Sequence, residues 1–276
     1  MSTSVTTSTS SQTPIGPVTE SKIFYIGELN RAIQYNELCL HYQPRYNSSG
    51  KMVSLEALVR WQHPEHGLLY PDSFIPLAIE VGLIHQLGLW VFEQCCNDLF
   101  SIRSQLEDDI KITINVHVSQ LEDLQFAQKI LDTCLKYYLS LESFEFEVNA
   151  CSTMQKKTRV LEFCTILSSH GAEFSLEDFG TAITPLEYLC LLPLNLIKLE
   201  TDFINRIGFC TRSETLLRKL IETAHEMNLT IVAEGVEHAY QRDLLVQMNC
   251  DQLQGTLFHQ PVALERLNRD SMLMHV

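Results

Sequence analysis

The 276 residues carry no surplus of positive charge: 20 Lys and Arg stand against 34 Asp and Glu, a formal net charge of −14. That deficit argues against non-specific DNA binding, which needs a basic surface, and against docking on anionic lipid. No apolar run approaches the ~20 residues of a membrane-spanning helix. The N-terminus lacks the basic-then-apolar order of a secretory signal. A soluble, cytoplasmic protein is expected. Paired cysteine motifs are missing too. The nine Cys are odd in number and form no CxxC, so neither a disulfide framework nor a zinc site is indicated. Most sit in apolar stretches, such as Cys164 in LEFCTIL and Cys190 in YLCLLPL, and read as buried thiols in a reducing compartment. His63 and His66 in WQHPEHG flank a proline and read as a solvated turn rather than a metal pair.

What is present suffices for a sizeable core: 45% hydrophobic and 20% charged residues. Residues 1–20 are rich in Ser and Thr and read as a disordered tail. Residues 21–276 show no shift in composition and read as one domain. Within them, β-rich apolar runs fall at 38–44, 52–61, 110–118, 144–150, 173–180, 196–200, 229–237 and 251–258. Helical patterns lie between them, at 73–101, 123–139 and 211–228. In the last, Leu216, Leu217, Leu220, Ile221 and Ala224 share a face, and Thr211 with Glu214 predicts a capping box. The alternation predicts an α/β fold, a (β/α)₈ barrel. No GxGxxG follows the first strand, which disfavours a doubly wound sheet.

The strand candidates end in polar residues: Gln43, Glu56, Asn115, Glu147, Glu177 with Asp178, Lys198 with Glu200, Glu234 with Glu237, and Gln254. In a parallel barrel those ends share one mouth. Several carboxylates converging there require protons or cations to offset their repulsion. Hard oxygen ligands suit Mg²⁺ or Mn²⁺, and two such ions about 4 Å apart can activate water for in-line phosphoryl displacement. Lys198 is the lone cation of the set, placed to orient or help deprotonate a nucleophilic water.

These residues stand in motifs that resemble the EAL domain of bacterial cyclic di-GMP signalling, over about residues 24–265. The naming triplet is Glu56-Ala57-Leu58, extended to EALVRW with Arg60. YQP (42–44), INV (114–116), SQL (119–121), EDFGT (177–181), LPLNLIKLE (192–200), VAEGVE (232–237) and QGTLF (254–258) follow in order. The resemblance implies a modified TIM barrel that hydrolyses cyclic di-GMP to linear pGpG with Mg²⁺ or Mn²⁺. It implies metal ligation by Glu56, Asn115, Glu147, Glu177, Asp178 and Glu234. Lys198 would be the water-activating lysine, with Gln43, Arg60, Glu237 and Gln254 toward the nucleotide.

Four positions depart from the family pattern. Glu177 replaces an Asp, and the extra methylene moves the carboxylate by roughly 1 Å, which octahedral Mg²⁺ tolerates poorly. Ala150 replaces a Glu that anchors the loop after the acidic pair. Ala182 replaces a Gly in that loop. Glu200 replaces the Asp after Lys198. Lesser changes include His117 for a Ser. The departures point first to a domain that binds cyclic di-GMP or a protein partner with lost or weak turnover. The alternatives are an active phosphodiesterase and a pure protein-interaction module. The family often dimerises near the altered loop, which puts a homodimer in question. No cyclase sequence, sensor domain or helix-turn-helix is visible, so regulation is expected through partners, nucleotide level or dimerisation. The acidic balance itself predicts that a dianionic nucleotide binds differently with and without divalent metal.

Overall fold

A computed structural model of the chain describes residues 20–103, 110–149, 157–179 and 187–267. The tail at 1–19 and the altered loop with Ala150 and Ala182 lie outside the described residues. The elements in chain order are α1 (Glu20–Gln34), β1 (Leu38–Asn47), β2 (Met52–His63), β3 (Gly67–Leu69), α2 (Pro71–Glu80), α3 (Ile84–Ile102), β4 (Lys111–Val116), α4 (Val118–Leu121), α5 (Leu124–Tyr137), β5 (Phe144–Asn149), α6 (Lys157–Ser168), β6 (Glu173–Phe179), α7 (Glu187–Leu191), β7 (Leu196–Leu199), α8 (Thr201–Ile204), α9 (Thr211–Glu226), β8 (Thr230–Ala233), α10 (Ala239–Gln247), β9 (Gln252–Leu253) and β10 (Val262–Ala263).

Eight strands close into the barrel in the order β1-β2-β4-β5-β6-β7-β8-β9, with β9 returning to β1. The pairings from β2 through β9 are parallel, whereas β1 runs antiparallel to both its barrel neighbours. This is the modified TIM barrel that the resemblance implies, and the placing of Gln43 and Glu56 at the ends of parallel strands is corrected. Residues 47–52 make a turn too short for the crossover that parallel strands need, so the first two strands must form a hairpin. Gln43 and Glu56 face each other mid-strand, in register.

Strict alternation positions the site. In β5, Phe144, Phe146 and Val148 are buried outward against helices, and Glu145 and Glu147 point into the barrel. Phe92 of α3 packs on Phe144 and Phe146 at ring distances of 5.0 and 5.9 Å. Burial of each such ring contributes about 1.5–3 kcal/mol. The barrel interior is polar by the same rule. Ser54 and Thr113 share a hydrogen bond of 2.7 Å, and Arg45 forms a two-pronged ion pair with Glu145. A second apolar cluster joins Leu29 and Ala32 of α1 to Trp61, Phe74 and Leu87 outside the barrel.

The helical pattern at 73–101 is two helices, because Gly82 at φ 77° turns the chain between α2 and α3. The predicted capping box of α9 does not form: Cys210 occupies the N-cap, and Glu214 accepts the Gly208 N–H at 2.9 Å instead. Leu216 is 51% exposed rather than part of the buried face, and Cys190 is exposed rather than buried. His63 is the reverse case. It is buried at the end of β2, with Nδ1 accepting the Glu65 and His66 N–H groups and Nε2 lying 3.4 Å from Glu28. Among the described residues no helix is long and apolar enough to cross a membrane.

Gly255 follows Gln254 where two backbones nearly touch. A Cβ there would fall inside the contact radii of the Val236 backbone N and O. Gly255→Ala is expected to destabilise the fold by about 1–3 kcal/mol, and to displace Gln254 from the mouth. Urea denaturation checks the first effect and a nucleotide titration the second.

Candidate active site

Lys198, on β7, is fully buried. Its Nζ lies 2.5 Å from Glu147 Oε2 on β5, 2.7 Å from Glu234 Oε1 just past β8, and 3.7 Å from Glu56 Oε2 on β2. Burial alone would drive the proton off Lys198, but the three carboxylates overcome it and hold the ammonium charged well above its ordinary range. The carboxylates outnumber the cation. Burial, offset by Lys198 but reinforced by neighbouring carboxylates, leaves Glu147 well above the ordinary carboxylate range. Glu234 is raised for the same reasons. Burial works on Glu56 too, but Lys198, Gln254 and Asn115 outweigh it and lower its pKa.

Two amides bracket Glu56. Asn115 Nδ2 donates to Oε1 at 3.0 Å and Gln254 Nε2 to Oε2 at 2.6 Å. Gln254 Nε2 also reaches Gln43 Oε1 at 3.3 Å, and Gln43 Nε2 donates to the His259 carbonyl at 3.0 Å. Arg60 is buried on β2, with its guanidinium 4.9 Å above the Tyr70 ring and its Nε without a partner among the described residues.

Glu147, Glu177 and Glu234 each present a carboxylate oxygen within 4.8 Å of the others. Glu147 Oε1 is buried and lacks a hydrogen bond among the described residues. An orphaned oxygen beside two other hard donors, in a cluster with surplus negative charge, fits a divalent cation. Asp178 lies on β6 next to this group, with its side chain outside the described residues. Glu237 is exposed ahead of α10, where its N–H donates to Gln241 Oε1 at 2.8 Å. Glu200 caps α8 by position, without a side-chain capping bond.

A cavity of about 500 Å³ opens beside the cluster. Its lining combines Glu56, Asn115, Glu147 and Glu177 with apolar residues including Ile75 and Leu87. The Arg45–Glu145 pair beneath the site was not expected from sequence. Its signal was the alternation of FEFEVN, which puts Glu145 on the same inward face as Glu147.

The sequence profile of the EAL domain matches residues 26–261. The chain belongs to the EAL domain family. This EAL domain is 32% identical over 249 residues to MucR of Pseudomonas aeruginosa, a bifunctional diguanylate cyclase/cyclic di-GMP phosphodiesterase, covering 90% of the chain and 36% of that protein. It is 34% identical over 241 residues to the cyclic di-GMP phosphodiesterase NbdA of the same organism, covering 87% of the chain and 31% of NbdA. The chain thus spans about a third of the length of these curated relatives. Its fold superimposes on the PaMucR phosphodiesterase in complex with c-di-GMP with a TM-score of 0.82 at 32% identity, over 89% of this chain and all of that one.

Proposed function

We propose that this EAL domain binds cyclic di-GMP at the barrel mouth and hydrolyses it slowly to linear pGpG with Mg²⁺ or Mn²⁺. The observation that carries this reading is the buried Lys198 ammonium set between Glu147 and Glu234, beside an unpartnered Glu147 oxygen. Buried charge clusters contribute little to stability, and apolar replacements often do better. A domain with no chemistry to perform has no physical need of this one.

Glu56, Asn115, Glu147, Glu177, Asp178 and Glu234 would hold the cation. When bound, it supplies charge neutralisation and Lewis-acid polarisation at the phosphodiester. Lys198 has three N–H donors, of which Glu147 and Glu234 engage two at short distance. The third would orient an attacking water admitted in place of the longer 3.7 Å approach of Glu56 Oε2, and the raised pKa of the ammonium favours orienting over deprotonating. Arg60 offers its planar donor fork to a phosphodiester oxygen.

Slow turnover follows from Glu177. Its longer side chain keeps the oxygen ligand but misplaces it, and a displacement of roughly 1 Å can reduce a rate about 10²-fold. Glu177→Asp is therefore expected to raise kcat with Mg²⁺ by about 10- to 100-fold, read as pGpG release by chromatography. Calorimetry with cyclic di-GMP, with and without Mg²⁺ and with Arg60→Ala, tests the reading as a whole. Tight binding lost in Arg60→Ala together with slow pGpG formation supports it. Absence of binding overturns it, and binding without product over hours leaves a receptor in place of an enzyme.

A further inference from the structure

His117 lines the same cavity as Asn115 and Glu177, together with the apolar Ile75 and Leu87. Its ring is locked in place. Nδ1 accepts the Ser119 backbone N–H at 3.2 Å and contacts Ser119 Oγ at 2.8 Å. The His117 N–H donates to Gln120 Oε1 at 2.7 Å, and Gln120 Nε2 is buried and donates to the Ile84 carbonyl at 2.9 Å. These contacts fix the tautomer. An Nδ1 that accepts a backbone N–H leaves the ring proton of the neutral imidazole on Nε2. Nε2 is therefore a donor and not a metal ligand, and it has no partner among the described residues.

A fixed donor among apolar lining residues suits the edge of an aromatic base better than a phosphate, which Arg60 and a cation held by the carboxylates would serve. Guanine shows two acceptors, O6 and N7, on its major-groove edge, whereas adenine replaces O6 with a donor amine. Resting on the reading above that the site takes a cyclic dinucleotide, we propose that His117 donates from Nε2 to O6 of one guanine, the acceptor adenine lacks, and selects guanine over adenine in this domain. A serine at this position could still cap α4 but would not reach the base, so the specificity contact is one this chain adds.

The test separates the cap from the contact. His117→Ser keeps a capping oxygen, and its melting temperature is measured first to show that the fold is unchanged. Wild type and variant are then titrated by calorimetry with cyclic di-GMP, cyclic di-IMP and cyclic di-AMP, in chelator and with Mg²⁺. Cyclic di-IMP keeps O6 and N7 but lacks the guanine 2-amino group, and cyclic di-AMP lacks O6. The variant is expected to lose about five- to tenfold in affinity for the first two ligands, the worth of one buried hydrogen bond, and little for the third. An unchanged affinity, or an equal loss for all three, overturns the inference while leaving the proposed function intact. Failure of the wild type to bind any of the three overturns both.

Discussion

Lys198→Met is expected to abolish measurable hydrolysis and to destabilise the fold at once. The first effect follows from geometry. No other side-chain cation among the described residues touches Glu147 or Glu234, so nothing replaces the donor proposed to orient the water. A positioned acid–base group contributes about 10²- to 10⁴-fold, and a drop of that order in pGpG release is the expected readout. The second effect follows from burial. Removing one partner from a buried ionic cluster typically costs about 3–5 kcal/mol. It also leaves its own signature in pH. Without Lys198 the surplus carboxylates can relieve their repulsion only by binding protons, so Glu147 and Glu234 titrate above the unfolded carboxylate value of about 4.3. A carboxyl group with a raised folded pKa binds more protons in the folded state. Its favourable contribution is full below the unfolded pKa and declines as pH rises through the folded one. The stability gap between wild type and variant is therefore expected to be small near pH 4 and to widen toward pH 8, measured by urea denaturation across that range. A gap independent of pH would show that Lys198 acts by packing alone.

The same alternation that made this cluster explains how much of the molecule was legible in its sequence. Runs such as KITINV and FEFEVN alternate so strictly that strand, inward face and site residue follow together, and Asn115 and Glu147 stand where that pattern puts them. The hairpin that turns β1 antiparallel was not legible from periodicity, because period two is the same in parallel and antiparallel strands. Only the short connection at 47–52 carried the sign. Short strands were overread for a related reason. Apolar character runs from 229 to 237 and from 251 to 258, but ladder pairing covers only Thr230–Ala233 and Gln252–Leu253, since the chain leaves the sheet to line the mouth. His63 was misread because a His-Pro-x-His string looks like a turn, and the helix carrying Glu28 that covers it is distant in sequence. Tertiary partners of that kind leave no local trace. Cys190 fails in the other direction: an apolar neighbourhood in sequence does not decide which face of a short helix meets solvent.

Glu145→Gln is expected to destabilise the domain as strongly as loss of Lys198 while leaving the chemistry largely in place. Arg45 and Glu145 are both buried within the barrel, two residues below Glu147 along β5. Burial alone would raise the pKa of Glu145, but the Arg45 guanidinium overcomes it and holds the carboxylate below its ordinary value. Glu145→Gln strands a buried guanidinium against a neutral amide, at a cost of about 3–5 kcal/mol. Replacing both partners at once, as Arg45→Met with Glu145→Leu, removes the stranded charge along with its desolvation, and most of that loss is expected to return. The pH dependence runs opposite to that of the Lys198 variant. A carboxylate with a depressed folded pKa contributes stability that is present above the unfolded value of about 4.3 and is lost as pH falls through the folded one. Wild type should therefore lose stability on acidification below about pH 4, and the double variant should lose less over the same interval. Chemical denaturation at neutral pH and at stepwise lower pH measures both. A double variant no more stable than Glu145→Gln would mean that the pair is held for its fit to the barrel interior rather than for its charge, and an equal acid limb in both proteins would place the acid sensitivity in another carboxylate held below its ordinary value, such as Glu56.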